Sequence, residues 1–284
     1  MNMKFQNTKT FRFLFLTRIV LAYLFCDFSP LAGQSLDDDF GARSQSMGHA
    51  NATLADEWSL FNNVGGISDV EKGSVFFGYH RFFDIDGFDK VALGIVQPFE
   101  FGSVGLSAFR FGDALYSEQM LSTAFGNKIG FVRLGLRASY YQLRIDDFGT
   151  SSAFMFDLGG IVELIPNVSF GAYISNFTVS TLNNMDQSKL PVSMKAGISY
   201  QPTQDIMLNL DIHKDVDFDP EIRAGLEYRI IEKVFVRTGI NSNPFKAYFG
   251  GGLKFGRFKV DYAVTSHQYL GIAHQASVVF AYQD

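Results

Sequence analysis

The sequence predicts an all-β fold: an antiparallel transmembrane β-barrel of about fourteen strands, with an N-terminal segment packing in or under the lumen. Three observations predict it. From about Gly73 to the end, apolar and polar residues alternate with period two in segments of about ten residues. No segment after the N-terminal leader approaches the ~18 apolar residues a membrane helix needs. The connections between segments alternate between short and longer ones, the habit of barrels that cross an outer membrane.

The first element is a leader over residues 1–33. Lys4, Lys9 and Arg12 precede the apolar run "FLFLTRIVLAYLF" (Phe13–Phe25), and "SPLAGQ" supplies small residues for cleavage near Gly33. This is the pattern of a signal peptide. A short membrane anchor is the weaker reading, because the run is brief and Arg18 interrupts it. The one cysteine, Cys26, follows the bulky Tyr23-Leu24-Phe25, which argues against lipoprotein processing.

Removing residues 1–33 deletes four cations and Asp27, so the mature chain is three charges more negative than the −5 of the whole sequence. It also leaves no cysteine, so disulfides cannot hold the fold. Nucleic acid is not an expected partner, since no basic patch stands out.

Residues 34–72 form the second element, expected as a plug-like segment. It is rich in small residues and carries the only tryptophan, Trp58. The alternative is an ordinary amphipathic helix outside the barrel. A fourteen-stranded barrel encloses more space than its own side chains fill, and a thin segment of small residues suits that space. The Trp58 indole is a natural anchor, provided its N–H finds a partner.

Residues 73–284 form the barrel. In "FVRLGLRASY", Val132, Leu134, Leu136, Ala138 and Tyr140 share one face, and Arg133, Gly135, Arg137 and Ser139 the other. "VSMKAGISYQ", "IMLNLDIH" and "FKVDYAVT" divide in the same way. Strands are expected to start near residues 74, 90, 103, 117, 130, 153, 167, 190, 205, 221, 232, 245, 257 and 272. An even number suits a closed antiparallel barrel; twelve or sixteen strands remain open.

"GNKIG", "IPN", "PTQD", "IIEK" and "GR" read as short turns. "RFFDIDGFD", "IDDFGTSS", "TVSTLNNMDQSKLP", "DVDFDP" and "SHQYLGIA" read as longer loops. A soluble β-sandwich alternates too, but it does not call for this strand length or loop asymmetry. The apolar face would meet lipid, with Tyr140, Tyr200, Tyr228, Phe255 and Tyr282 in interfacial girdles and Val278, Phe280 and Tyr282 outward on the last strand.

The polar faces place Arg133, Arg137, Lys195, Arg223, Arg229, Arg237, Lys254 and Lys259 in the lumen. Asp157, Glu163, Asp211, Glu227 and Asp261 accompany them. Mixed signs point to a paired network that fills the interior more than to a selective pore. The five histidines show no metal-ligand spacing, so no metal site and no cofactor are expected. "FGGGLKFG" lacks the Lys-Ser/Thr ending of a phosphate loop, and no nucleophile motif supports a hydrolase. No enzyme is expected.

Within the second element stand Gly41-Ala42-Arg43, Met47-Gly48-His49-Ala50, Asp56-Glu57-Trp58-Ser59 and Asn62-Asn63. This series resembles the N-terminal signature of FadL-type outer-membrane barrels, in particular their PorV/PorQ branch. Val64-Gly65-Gly66 departs from the proline-alanine-glycine usual there. The resemblance implies a fourteen-stranded barrel in a Gram-negative outer membrane. It also implies a role in type IX secretion by protein–protein docking, through loops such as Phe82–Asp89 and Thr178–Leu190. The alternatives are a FadL-like channel for long-chain fatty acids or aromatic hydrocarbons, and a structural barrel without transport. The expected partners are thus outer-membrane lipid, and either envelope or secretion-complex proteins or a hydrophobic small molecule.

Overall fold

The structure, a computed structural model, describes residues 39–83, 87, 89–183, 188–267 and 270–282. The expected signal peptide at residues 1–33 lies outside the described residues. Fourteen strands follow a short N-terminal segment. The first seven are β1 (Ser74–Arg81), β2 (Asp89–Phe99), β3 (Gly102–Gly112), β4 (Tyr116–Ile129), β5 (Val132–Ile145), β6 (Gly149–Ile165) and β7 (Val168–Ser175). Beyond a longer connection come β8 (Ser193–Thr203), β9 (Ile206–Asp215), β10 (Glu221–Ile231), β11 (Val234–Ser242), β12 (Phe245–Phe255), β13 (Phe258–His267) and β14 (Gly271–Ala281).

Each strand pairs antiparallel with its sequence neighbours, and β14 returns to β1 with Ser74 opposite Ala281 and Arg81 opposite His274. The sheet is therefore closed. Closure leaves no edge of unpaired backbone groups, which is what a strand-built structure requires in hydrocarbon.

The period-two pattern sorts side chains as expected. On β5, Leu134, Leu136 and Tyr140 are exposed on the outer face, while Gly135, Arg137 and Ser139 are buried inside. The same division holds on β8 and β9, where Ile198, Tyr200, Leu208, Leu210 and Ile212 are outward and exposed. A nearly continuous apolar outer surface is costly in water and favourable against acyl chains.

The connections correct one expectation. "IDDFGTSS" is mostly strand: β6 begins at Gly149 rather than near 153, and Ile145 faces Gly149 across a tight hairpin. "SHQYLGIA" is also shorter as a loop, because β13 and β14 pair as far as His267 opposite Gly271. "GNKIG" lies largely within β4, and the turn is Gly130-Phe131. At the loop end only the connections at 82–88 and 176–192 are long. A few residues suffice to close an antiparallel pair, so polar residues near the strand ends join the ladder.

Candidate functional site

The N-terminal segment lies inside the barrel. Its elements are α1 (Ala42–Ser46) and two 3-10 helices, Glu57–Leu60 and Val64–Asp69. The first 3-10 turn starts with a capping box: the Asp56 carboxylate accepts from Trp58 N at 2.9 Å, and Ser59 Oγ accepts from Asp56 N at 3.1 Å. Asn63 opens the second by accepting from Gly65 N at 3.2 Å. Gly48 turns the chain at φ +66, where a Cβ would stand 2.9 Å from Ile240 N in the wall.

The wall makes room for this segment with inward glycines on successive strands. A Cβ on Gly105 would lie 2.7 Å from Leu60 Cδ1, one on Gly126 2.7 Å from Ile67 Cγ1, and one on Gly225 2.5 Å from the Met47 carbonyl. Side chains at these positions would occupy the space the segment needs.

Trp58 sits where the segment meets β1. It stacks on Phe40 with ring centroids 5.4 Å apart and packs against Phe76 at 4.6 Å and Phe61 at 6.2 Å. Its indole N–H is buried without a hydrogen-bond partner among the described residues. The anchoring is thus aromatic, with no help from the hydrogen bond that sequence reasoning asked for.

The charged residues expected in the lumen mostly meet the segment or one another. Arg137 and Asp157 are fully buried and paired at 2.6 Å. Arg137 also donates to the Leu60 carbonyl at 2.9 Å and to Tyr173 Oη at 2.8 Å, while Asp157 accepts from Asn176 N at 2.7 Å. Glu227 receives Arg43 in a two-bond fork at 2.9 and 2.7 Å and Arg237 at 2.5 Å. Arg237 reaches on to Asp261 at 2.6 Å, and Arg43 to Asp56 at 3.0 Å.

Lys195 and Arg223 converge on Asp39, the latter at 2.9 Å, and Asp211 accepts from Ala52 N at 2.7 Å. Lys259 pairs with Glu57 at 2.8 Å. Arg133 Nε lies 2.6 Å from Asp69, an ion contact without hydrogen-bond alignment.

Two titrating groups of the segment register this network. Burial alone would raise the Asp39 carboxyl, but Lys195, Arg223 and His49 together hold it well below the usual carboxylate range. Burial would likewise favour a neutral Arg43, and Glu227 and Asp56 outweigh it, fixing the guanidinium as a cation.

Three residues expected inside lie elsewhere. Lys254 and Glu163 are exposed at the turn end of β12 and β6, and Arg229 pairs there with the half-exposed Asp205 at 2.8 Å. All three keep the inward parity of their strands. They stand beyond the level that the segment fills, so parity alone does not enclose them.

Sequence reasoning missed one side of the lumen. Towards the loop end, β3–β6 turn Phe109, Met120, Tyr141, Leu143 and Met155 inward, all buried. Leu182 and Leu190 of the 176–192 connection are buried with them. Phe111, Tyr116 and Ile145 form a half-buried mouth over this cluster, and Phe82 meets Phe111 edge-on at 5.9 Å. The signal lies in "SYYQLRI" and "SSAFMFD", where apolar residues occupy both parities and the alternation lapses.

Within this apolar mouth one carboxylate is buried. Glu118 projects inward from β4 between Phe111 of β3 and Leu143 of β5, and Tyr116 Oη donates to it at 2.5 Å. The arrangement offers an apolar surface with charge at two points: Glu118, and Lys90 of β2, which lies opposite Phe111 and sets its ammonium over the Phe109 ring at 5.2 Å. No group of three or more histidine, cysteine or acidic side chains among the described residues is placed to hold a metal ion.

No protein-family model matches the sequence, and no curated protein sequence does. Solved structures do share the fold. The Pseudomonas putida toluene transporter TodX superposes with a TM-score of 0.64 at 12% identity, over 87% of this chain and 100% of that one. The Ralstonia pickettii toluene transporter TbuX gives 0.62 at 12% identity, over 88% and 99%. A Pseudomonas aeruginosa FadL homologue gives 0.59 at 11% identity, over 86% and 98%. The chain thus has the closed fourteen-stranded architecture of FadL-type transmembrane barrels.

Proposed function

We propose that this protein is an outer-membrane channel for hydrophobic small molecules, exported by a signal peptide at residues 1–33 and closed by the segment at 34–72. One observation carries the reading: towards the loop end, β3–β6 line their side of the lumen with apolar and aromatic side chains although the outer face already meets lipid. An aqueous pore has a polar interior, so an apolar one suits an apolar guest. The strand ends that join the long connections then face the exterior, and the plug runs from Asp69 beside Arg133 at the turn end to Asp39 beside Lys195 and Arg223 near the loop ends of β8 and β10. The likeness in fold to two toluene transporters supports the same direction.

The test is uptake of radiolabelled toluene and of long-chain fatty acids by cells with and without the gene. A deletion that leaves both unchanged overturns the reading.

A second reading rests on the signature at Gly41-Ala42-Arg43, Met47-Gly48 and Asp56–Asn63, which resembles the PorV/PorQ branch. It makes the barrel a docking partner in type IX secretion, using the connections at 82–88 and 176–192. Deletion that leaves surface-attached cargo fully secreted counts against it. Native purification separates it from a purely structural barrel by the company the protein keeps.

A further inference from the structure

The apolar mouth contains a carboxylate that a purely hydrocarbon guest does not need. Glu118 is 8% exposed, and its register neighbours are Phe111 and Leu143. Its hydrogen-bond partner is the Tyr116 hydroxyl at 2.5 Å. The ion pairs described for Glu227, Asp157 and Asp39 have no counterpart described at Glu118; the cation nearest it in register, Lys90 beyond Phe111, sets its ammonium over the Phe109 and Phe40 rings. A carboxylate in an apolar setting is costly, and one hydroxyl donor offsets only part of that cost. Its oxygens offer about four acceptor positions, so capacity remains towards the half-buried mouth.

Resting on the channel reading, we propose that Glu118 determines specificity. It would select hydrophobic molecules whose head group donates a hydrogen bond, a hydroxyl or an ammonium, and turn away carboxylates. A donor reaching the mouth supplies what Glu118 lacks, while the apolar body lies on Phe111, Tyr116 and Ile145. An anionic head would place a second negative charge beside the first in a medium that screens it poorly. Discrimination of this kind combines an attraction with a built-in repulsion.

The experiment uses the full mature barrel in detergent and one ring system with four head groups: naphthalene, 1-naphthol, 1-naphthylmethylammonium and 1-naphthoate. Titration calorimetry at neutral pH is expected to rank naphthol and the ammonium at least about tenfold above naphthoate, with naphthalene between. Glu118→Gln should close the gap in affinity between naphthoate and naphthalene. Equal affinities for the four probes in the native protein overturn the specificity role and leave the channel reading standing, as does a naphthoate penalty that survives Glu118→Gln. If the variant does not fold, the ammonium-against-naphthoate comparison in the native protein decides alone. Failure of every probe to bind sinks the channel reading itself, and this inference with it.

Discussion

At the scale of single residues, most of the buried lumen charges hold the plug or one another. Arg137 and Asp157 have no exposed surface, and each satisfies several further groups, so removing either strands the other in a dry interior. Arg137→Ala or Asp157→Ala should each cost about 3–5 kcal/mol, because breaking a buried pair leaves an uncompensated charge. Urea unfolding of the detergent-solubilised barrel measures the loss, and a change below ~1 kcal/mol would show that water reaches the pair. These positions were legible in the sequence because strand parity fixes the direction of a side chain. Depth along the barrel axis was not legible, since a one-dimensional pattern does not say where the plug ends. Arg229 and Lys254 therefore have the expected parity but lie outside the sealed region.

At the scale of elements, the segment from Asp39 to Asp69 and the glycine-bearing wall fit each other. Gly225→Val would drive side-chain atoms into the Met47 backbone. Such overpacking costs about 1–3 kcal/mol, and here it falls on plug docking more than on the strand ladder. Trp58, the only tryptophan, reports the result: its fluorescence should shift red as Phe40 and Phe76 move away, while the barrel keeps its sheet signal.

The same fluorophore reads the pH dependence. The Asp39 carboxyl holds its proton more weakly docked than free, because Lys195 and Arg223 favour the anion. Its contribution is therefore fully present above the ordinary aspartate value of ~3.9 and lost as pH falls through the lower, docked value. Trp58 emission should stay flat from neutral pH down to about 5 and change only in stronger acid. Asp39→Asn should loosen the segment even at neutral pH, and an unaltered spectrum in that variant would remove Asp39 from the docking role. The strands were readable because period two is written into every one of them. The wall's fit to the plug was not, because an inward glycine looks the same whether it faces water, a ligand or another backbone.

At the scale of the whole molecule, an apolar exterior and a plugged interior make two opposite demands. On the outer face, Leu136 is exposed beside the equally exposed Leu134, so Leu136→Arg should destabilise the barrel in a bilayer by about 2–4 kcal/mol if it lies near the midplane. In the interior, the balance of charge depends on the plug. Removing residues 39–72 takes away Asp39, the partner of Arg223 and Lys195, Glu57, the partner of Lys259, and Asp69, the partner of Arg133, together with the Arg43–Asp56 pair. A barrel of this size without its filling is wide enough to hydrate, since sixteen strands already enclose an aqueous channel and eight do not.

The truncated barrel should therefore insert and conduct in planar bilayers, where the full protein is closed at the same voltage. With the cations left in excess, its current should favour anions, because like charges lining a narrow passage focus the field on the opposite ion. A truncated barrel that folds yet stays silent would mean that the apolar cluster of β3–β6, with Leu182 and Leu190, seals the lumen without the plug.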